Sequence, residues 1–213
     1  MWIVPAVLVV GMLVLAVFKG LTGGSLLGNG PDNTIPPFDF KVTKAIPFLV
    51  TDKDSTQFAG RAQEVANEVG KTMTALYTEA FLDPKNWRDG SYDDVWPMFD
   101  DGSRTSAAQD GETLTLGASA GDTYDKVTRP RGWVKVKVLL DREDQPSTAV
   151  AIVKFTAYGT GKDGTYTQIV SKGQYFLRPG GSGWTVYAFQ VRRGDHETAP
   201  KPGPSGTSTE VSS

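Results

Sequence analysis

The chain of 213 residues contains no cysteine and a single histidine, His196. The absence of cysteine excludes disulfides, thiolate metal ligands and a cysteine nucleophile. A lone histidine in a polar stretch near the end of the sequence excludes a multi-histidine metal site and a classical catalytic triad. The formal net charge is −2, so the whole chain has no electrostatic attraction towards nucleic acid. We therefore predict no cofactor, no metal site and no specific nucleic-acid partner.

One long apolar run stands out, at residues 2–18, and it carries no charge. As a helix it is about 26 Å long, which is at the short end of the range for a membrane span. Trp2 suits a membrane interface, and Lys19, directly after Phe18, can extend its charge towards the headgroups. We predict a single-pass transmembrane anchor at residues 1–19 in the cell membrane, with the bulk of the chain outside the cytoplasm.

A cleaved signal peptide is the alternative interpretation of the same run. Against it, a basic stretch is missing before the apolar residues, and Phe18 is a poor residue at a cleavage site. Residues 22–24, Thr-Gly-Gly, are a weak alternative site.

The rest of the chain divides into three parts by composition. Residues 20–37 are rich in Gly, Asn and Pro, which is typical of a flexible linker. Residues 198–213 lack aromatics and are rich in Pro, Gly, Ser and Thr, which predicts a disordered tail. Residues 38–197 remain as one folded domain.

Within that domain, helical patterns precede strand patterns. Apolar residues between 58 and 81 recur every three or four positions, which predicts a long helix capped by Asp54 or Ser55. From Tyr124 onwards the sequence is rich in β-branched residues and interrupted by turn signals. The predicted strands cover residues 133–141, 148–159, 165–178 and 184–193. The order predicts an α+β fold in which a long N-terminal helix and shorter helices pack on a curved antiparallel sheet of about four strands.

This order of elements resembles the cystatin-like cone of the nuclear-transport-factor-2-like superfamily. The resemblance is carried by the helix at 54–82, the aromatic segment 86–99 and the four strands, the last of which begins with Trp184 after a glycine-rich turn. It covers the folded domain and rests on the pattern of elements.

With an anchor in front, the chain is similar to VirB-type inner-membrane assembly proteins of conjugation and type IV secretion, and to membrane proteins that accompany mammalian-cell-entry lipid transporters. The resemblance implies a non-enzymatic, membrane-tethered scaffold that binds other envelope proteins, with homo-oligomerisation left open. A small-molecule or lipid-binding accessory of lipid import is one alternative.

A cone-type cyclase or isomerase is the other alternative, because some relatives place an acid or base inside the cone. The candidate groups for that chemistry are Asp93, Asp94, Asp100, Asp101, Tyr92 and Tyr124. The two aspartate pairs are also candidates for binding a hard cation through their carboxylates. The simpler interpretation is that the aspartates are solvated loop and cap residues.

Two sets of residues are candidates for binding a partner. The first is the aromatic, aspartate-rich segment that contains Trp87, Tyr92, Trp96 and Phe99; its rings either pack over the cone or anchor a partner. The second is a basic strand face formed by Lys135 and Lys137, which alternation places on the side of Trp133. That face is either solvated or meets anionic headgroups, a nucleic acid or an acidic partner.

Overall fold

The computed structural model of the protein describes residues 33–51, 53–181 and 183–198. The predicted anchor at 2–18, most of the predicted linker and residues 199–213 of the predicted tail lie outside these residues. Among the described residues, no helix has the length and apolar character needed to cross a membrane.

The helices follow one another between residues 55 and 123. They are a 3-10 turn at Ser55–Phe58, α1 at Ala59–Tyr77, a π-helical turn at Thr78–Leu82, α2 at Pro84–Asp89, a 3-10 turn at Trp96–Met98, α3 at Asp101–Gln109, α4 at Gly111–Leu114 and α5 at Ala120–Thr123. The predicted long helix is thus confirmed as α1 with its π-helical extension.

Short polar side chains set the helix boundaries. The Asp54 carboxylate accepts a hydrogen bond from the Thr56 backbone N–H at 2.9 Å, as a cap does. The Asp83 carboxylate accepts one from the Lys85 N–H at 2.8 Å, and Pro84 occupies the first position of α2, where a missing N–H costs little. Asp100 caps α3 in the same way, accepting from the Ser103 N–H at 2.9 Å.

Five strands form one sheet in the order β1-β2-β3-β4-β5. Their bounds are Lys41–Leu49, Tyr124–Leu140, Pro146–Gly161, Tyr166–Gly180 and Gly183–Thr198. Strands β2 to β5 form an antiparallel meander, whereas β1 pairs with β2 in parallel.

The predicted antiparallel sheet of about four strands is therefore wrong: the sheet is mixed and has five strands. The error lies in residues 38–50, where apolar residues alternate only in part and no strand was predicted. The partner of this segment is distant, because Lys41 pairs with Trp133. A parallel pair of this kind needs a long crossover connection, here made by the helices, so no local hairpin signal marks it.

The interior between α1 and the sheet is filled by aromatic rings. Phe155 of β3 lies 5.3 Å from Phe38, 5.1 Å from Tyr77 and 5.2 Å from Phe81, measured between ring centroids. Phe155, Tyr77 and Phe81 are fully buried. Phe40 joins the cluster at 5.0 Å from Tyr77. This aromatic cluster joins β1, α1 and the centre of the sheet into one core.

Three hydroxyls form a buried network beside that cluster. Tyr77 Oη lies 2.9 Å from Ser171 Oγ, and Tyr175 Oη donates to Tyr77 Oη at 3.3 Å. Burial raises the pKa of Tyr77 to about 12, and burial next to Tyr77 also raises the pKa of Tyr175. Both phenols are therefore held neutral in the folded protein.

We expect the folded protein to lose stability between about pH 10 and pH 12. Unfolded tyrosine ionises near pH 10, whereas folded Tyr77 ionises near 12, so the stabilisation is complete below about pH 10 and is lost as the pH rises through the folded pKa. The loss from Tyr77 amounts to about 2–3 kcal/mol. Urea unfolding across this range measures it. Tyr77→Phe should make the decline shallower, and an unchanged slope would contradict the assignment.

Candidate functional site: the outer face of the sheet

The strands alternate between a side that packs under the helices and a side that no described element covers, here called the outer face. In β2, for example, Val134, Val136 and Val138 are fully buried, while Trp133 and Leu139 are 37% and 38% exposed. Residues paired directly across neighbouring strands share a face. The register therefore identifies every member of the outer face.

A row of cations crosses this outer face. Lys41, Trp133, Lys154, Lys172 and Arg192 are successive cross-strand partners, one from each strand. All five side chains are exposed. We call this set the cation row. Like charges directly opposite each other destabilise a sheet, so Lys154, Lys172 and Arg192 in adjacent positions have a cost that the fold does not require.

The next positions along the strands extend the positive surface. Lys44 pairs with Lys135, and Ile46 pairs with Lys137. The predicted basic residues Lys135 and Lys137 thus stand on the same face as Trp133 and are half-buried. A shallow depression of about 340 Å³ lies beside Trp133 and reaches Lys154, Lys172 and Arg192.

The other half of the outer face is apolar. A second depression, of about 370 Å³, is lined by Phe48, Lys137, Leu139, Thr148, Val150, Phe176 and Tyr187. Phe48 is 47% exposed, and the Lys137 ammonium lies 5.6 Å from its ring centroid. We call these residues the apolar patch. Exposed rings and aliphatic side chains grouped beside cations are typical of a binding surface.

Charge is segregated between the two sides of the domain. Residues 54–123, which include every helix of the described residues, contain thirteen acidic and five basic residues, a formal charge of −8. The five strands contain twelve basic and three acidic residues, a formal charge of +9. Asp195 and Glu197 pair across the strands with Ile169 and Thr167 on the helical side, and Asp125 lies at an irregularity of β2. Of the twelve basic residues, Arg193 also lies on the helical side, opposite Ser171 and in an ion pair with Asp195. The net charge of −2 conceals this separation.

Sequence reasoning found Trp133 of the cation row, together with Lys135 and Lys137 beside it, but missed the four cations of the row. Those residues lie far apart in the chain, and only the register brings them together. Charge counted separately over the helical and strand segments would have signalled the separation without any structure.

The aromatic segment has a different place in the molecule. Trp87, Tyr92 and Phe99 are 1%, 6% and 0% exposed, and Trp96 is half-buried with its ring centroid 6.4 Å from that of Phe99. The Tyr92 hydroxyl donates to the Gly117 carbonyl at 3.0 Å. Three of these four side chains are too deeply buried to contact a partner. Their burial favours the packing interpretation over a partner-binding patch.

The candidate acidic residues have structural partners. Asp100 Oδ2 lies 2.6 Å from Arg178 Nη2 in addition to capping α3, and Asp94 pairs with Lys85 at 3.1 Å. Asp93 accepts a hydrogen bond from Ser91 at 3.0 Å, and Asp101 pairs with Arg104 at 3.1 Å.

The two tyrosines of this set lie in different surroundings. Tyr124 lies elsewhere, with its hydroxyl 3.4 Å from Asp195 Oδ2, and burial raises the pKa of both Tyr124 and Tyr92. Within the described ranges, no three His, Asp or Glu side chains are grouped as metal ligands would be.

We expect Lys172→Gln to stabilise the protein, because it relieves repulsion from both Lys154 and Arg192. The gain should be about 0.2–1 kcal/mol at low ionic strength and should shrink at high salt. Urea unfolding at two salt concentrations measures it, with Lys162→Gln in the exposed β3–β4 turn as the matched control. A destabilisation by Lys172→Gln at low salt would contradict the repulsion argument.

Comparison with known proteins gave no family model, no curated protein and no solved structure that matches this chain.

Proposed function

We propose that the protein is a non-enzymatic scaffold or adaptor subunit of a bacterial cell-envelope assembly of the conjugation or type IV secretion kind, held at the cell membrane by residues 2–18 with its domain outside the cytoplasm. The observation that carries the proposal is the charge segregation of the domain surface. A domain with one cationic and one acidic side is suited to hold two different partners at once.

The filled interior supports binding through surfaces. A cone that held a small molecule would need an open space between helix and sheet, with a few convergent polar groups. Here that space contains Phe38, Phe40, Tyr77, Phe81 and Phe155 in ring-to-ring contact. This arrangement favours the scaffold over the ligand-binding and enzymatic alternatives. Both alternatives need a cavity inside the cone, as does any function implied by the nuclear-transport-factor-2-like resemblance that uses the cone interior.

Membrane fractionation followed by native electrophoresis tests the proposal. We expect the full chain to stay in the membrane pellet after carbonate washing, because its first residues are apolar over a membrane-spanning length. In mild detergent it should migrate with other envelope proteins, well above the 22.9 kDa of a single chain. Release by carbonate, or a purified chain that turns over a small substrate, would contradict the proposal.

A further inference from the structure

We propose that the outer face of the sheet lies on an anionic lipid bilayer, with the cation row contacting the headgroups and the apolar patch entering the interfacial region. The inference rests on the proposed function, since it names a lipid surface as the partner of one side of the adaptor. It concerns the described domain and not the apolar residues at the start of the chain.

The charge argument begins with unused cations. In the described part of the chain, Lys41, Lys154, Lys172 and Arg192 form no ion pair. They share one row across the sheet with their side chains in solvent. Arg178, at the far end of β4, is an outward cation that has a carboxylate partner, Asp100. An anionic surface would satisfy the whole row together and remove its mutual repulsion.

The apolar patch favours a bilayer over a nucleic acid as the partner of the outer face. Single-stranded nucleic acids use aromatic platforms for stacking, and their backbones offer nothing to aliphatic side chains. Here Leu139 and Val150 lie between Phe48 and Phe176 in the same depression. A bilayer accommodates both kinds of group, because aliphatic side chains enter the acyl boundary while lysines keep their charge at the headgroups. Trp133, at 37% exposure beside the cations, is also a side chain that favours the membrane interface.

One row, which contains Lys44 and Lys135, lies between the cation row and the apolar patch. Lys41, Lys44 and Ile46 mark successive outward positions of β1, so the rows are roughly 7 Å apart and the patch begins within about 14 Å of the cation row. Both therefore fit under one side of the sheet and can meet a flat surface together.

The short segment between the apolar run and the domain keeps the outer face within reach of the bilayer. Residues 19–32 join the apolar run to the first described residue, Asn33, and even fully extended they reach no further than about 50 Å. A domain confined so close to a bilayer meets it at high effective concentration, so a weak surface contact suffices. Its acidic helical side then faces away from the lipid, towards other proteins.

The absence of cysteine permits a direct experiment on the full chain. Leu139→Cys, at an exposed position of the apolar patch, is labelled with an environment-sensitive fluorophore, and Ala108→Cys in α3 provides the matched label on the helical side. Each protein is reconstituted into vesicles of phosphatidylcholine alone, or of phosphatidylcholine mixed with phosphatidylglycerol. Spin-labelled lipids report contact by quenching.

We expect the Leu139 label to shift to the blue and to be quenched only in vesicles that contain phosphatidylglycerol, and to lose both responses at high salt. The combined variant Lys154→Gln, Lys172→Gln and Arg192→Gln should lose the response. The control variant Lys71→Gln, Arg142→Gln and Lys162→Gln, which removes three cations elsewhere, should retain it. The Ala108 label should stay in water throughout.

Three results would overturn the inference. They are a Leu139 label that stays in water with phosphatidylglycerol present, a label that responds equally in both vesicle types, and a label that responds in neutral vesicles to an added oligonucleotide or to polyglutamate. The last would assign the face to a nucleic acid or an acidic protein. Membrane retention and complex size are measured separately, so a failed lipid contact with an intact complex leaves the adaptor proposal standing.

Discussion

Phe155→Ala is expected to lower the free energy of unfolding by about 3–5 kcal/mol, the range for removing a buried aromatic side chain. The ring is fully buried and contacts Phe38, Tyr77 and Phe81 within 5.3 Å. Its loss leaves a cavity bounded by rings from two parts of the chain, the residues before β1 and the end of α1 with its π-helical turn. The surrounding rings cannot all move inwards to fill the cavity, because α1 and the sheet hold the backbones that carry them apart.

Urea unfolding of the purified full chain measures this change. Phe48→Ala is the matched control, because it makes the same substitution at a 47% exposed strand position and should change stability by less than about 0.5 kcal/mol. Equal effects of the two variants would mean that the aromatic cluster does not organise the core.

Trp87→Ala should cost a similar 3–5 kcal/mol. The side chain is 1% exposed, and the Arg88 guanidinium lies 5.1 Å from its ring centroid. Its indole N–H has no hydrogen-bond partner among the described residues, so the side chain contributes through packing and its contact with Arg88 and not through a hydrogen bond. Trp87→Phe, which retains much of that packing and removes the unpaired donor, should be markedly milder.

The control for Trp87→Ala is Trp133→Ala on the outer face, where stability should barely change. Thermal melts of the two variants measure this difference in stability. If Trp87→Ala folded normally and instead weakened assembly with other envelope proteins, the segment would be a partner surface, and the packing interpretation would fail.

Local patterns predicted the local structure well. The three- and four-residue spacing between 58 and 81 predicted α1, because the residues of one helical face are close together in sequence. The predicted cap Asp54 belongs to the 3-10 turn before α1, which itself begins after Phe58 without a side-chain cap.

Features that depend on distant pairing escaped prediction. Strand β1 carries Lys41 and Lys44 and contains Pro47, which weakens its local strand signal, and only its pairing with β2 makes it a strand. The cation row escaped for the same reason, since its members come from five strands. The aspartates around Trp87 and Trp96 suggested an exposed loop, but Asp83, Asp94, Asp100 and Asp101 serve as caps and ion-pair partners while the rings turn inwards.

The parallel pairing of β1 also sets the order in which the domain can assemble as it emerges from a ribosome. Lys41 pairs with Trp133, which is 133 − 41 = 92 residues later. At synthesis rates of about 5–20 residues per second, β1 waits roughly 5–20 seconds for its neighbour, whereas β2 to β5 find theirs through short turns. During that interval Ile46, Phe48 and Leu49 have no strand to shield them. Lys41, Lys44 and Pro47 limit mispairing with other nascent chains, so the residues that obscured the strand in the sequence also protect it while it waits.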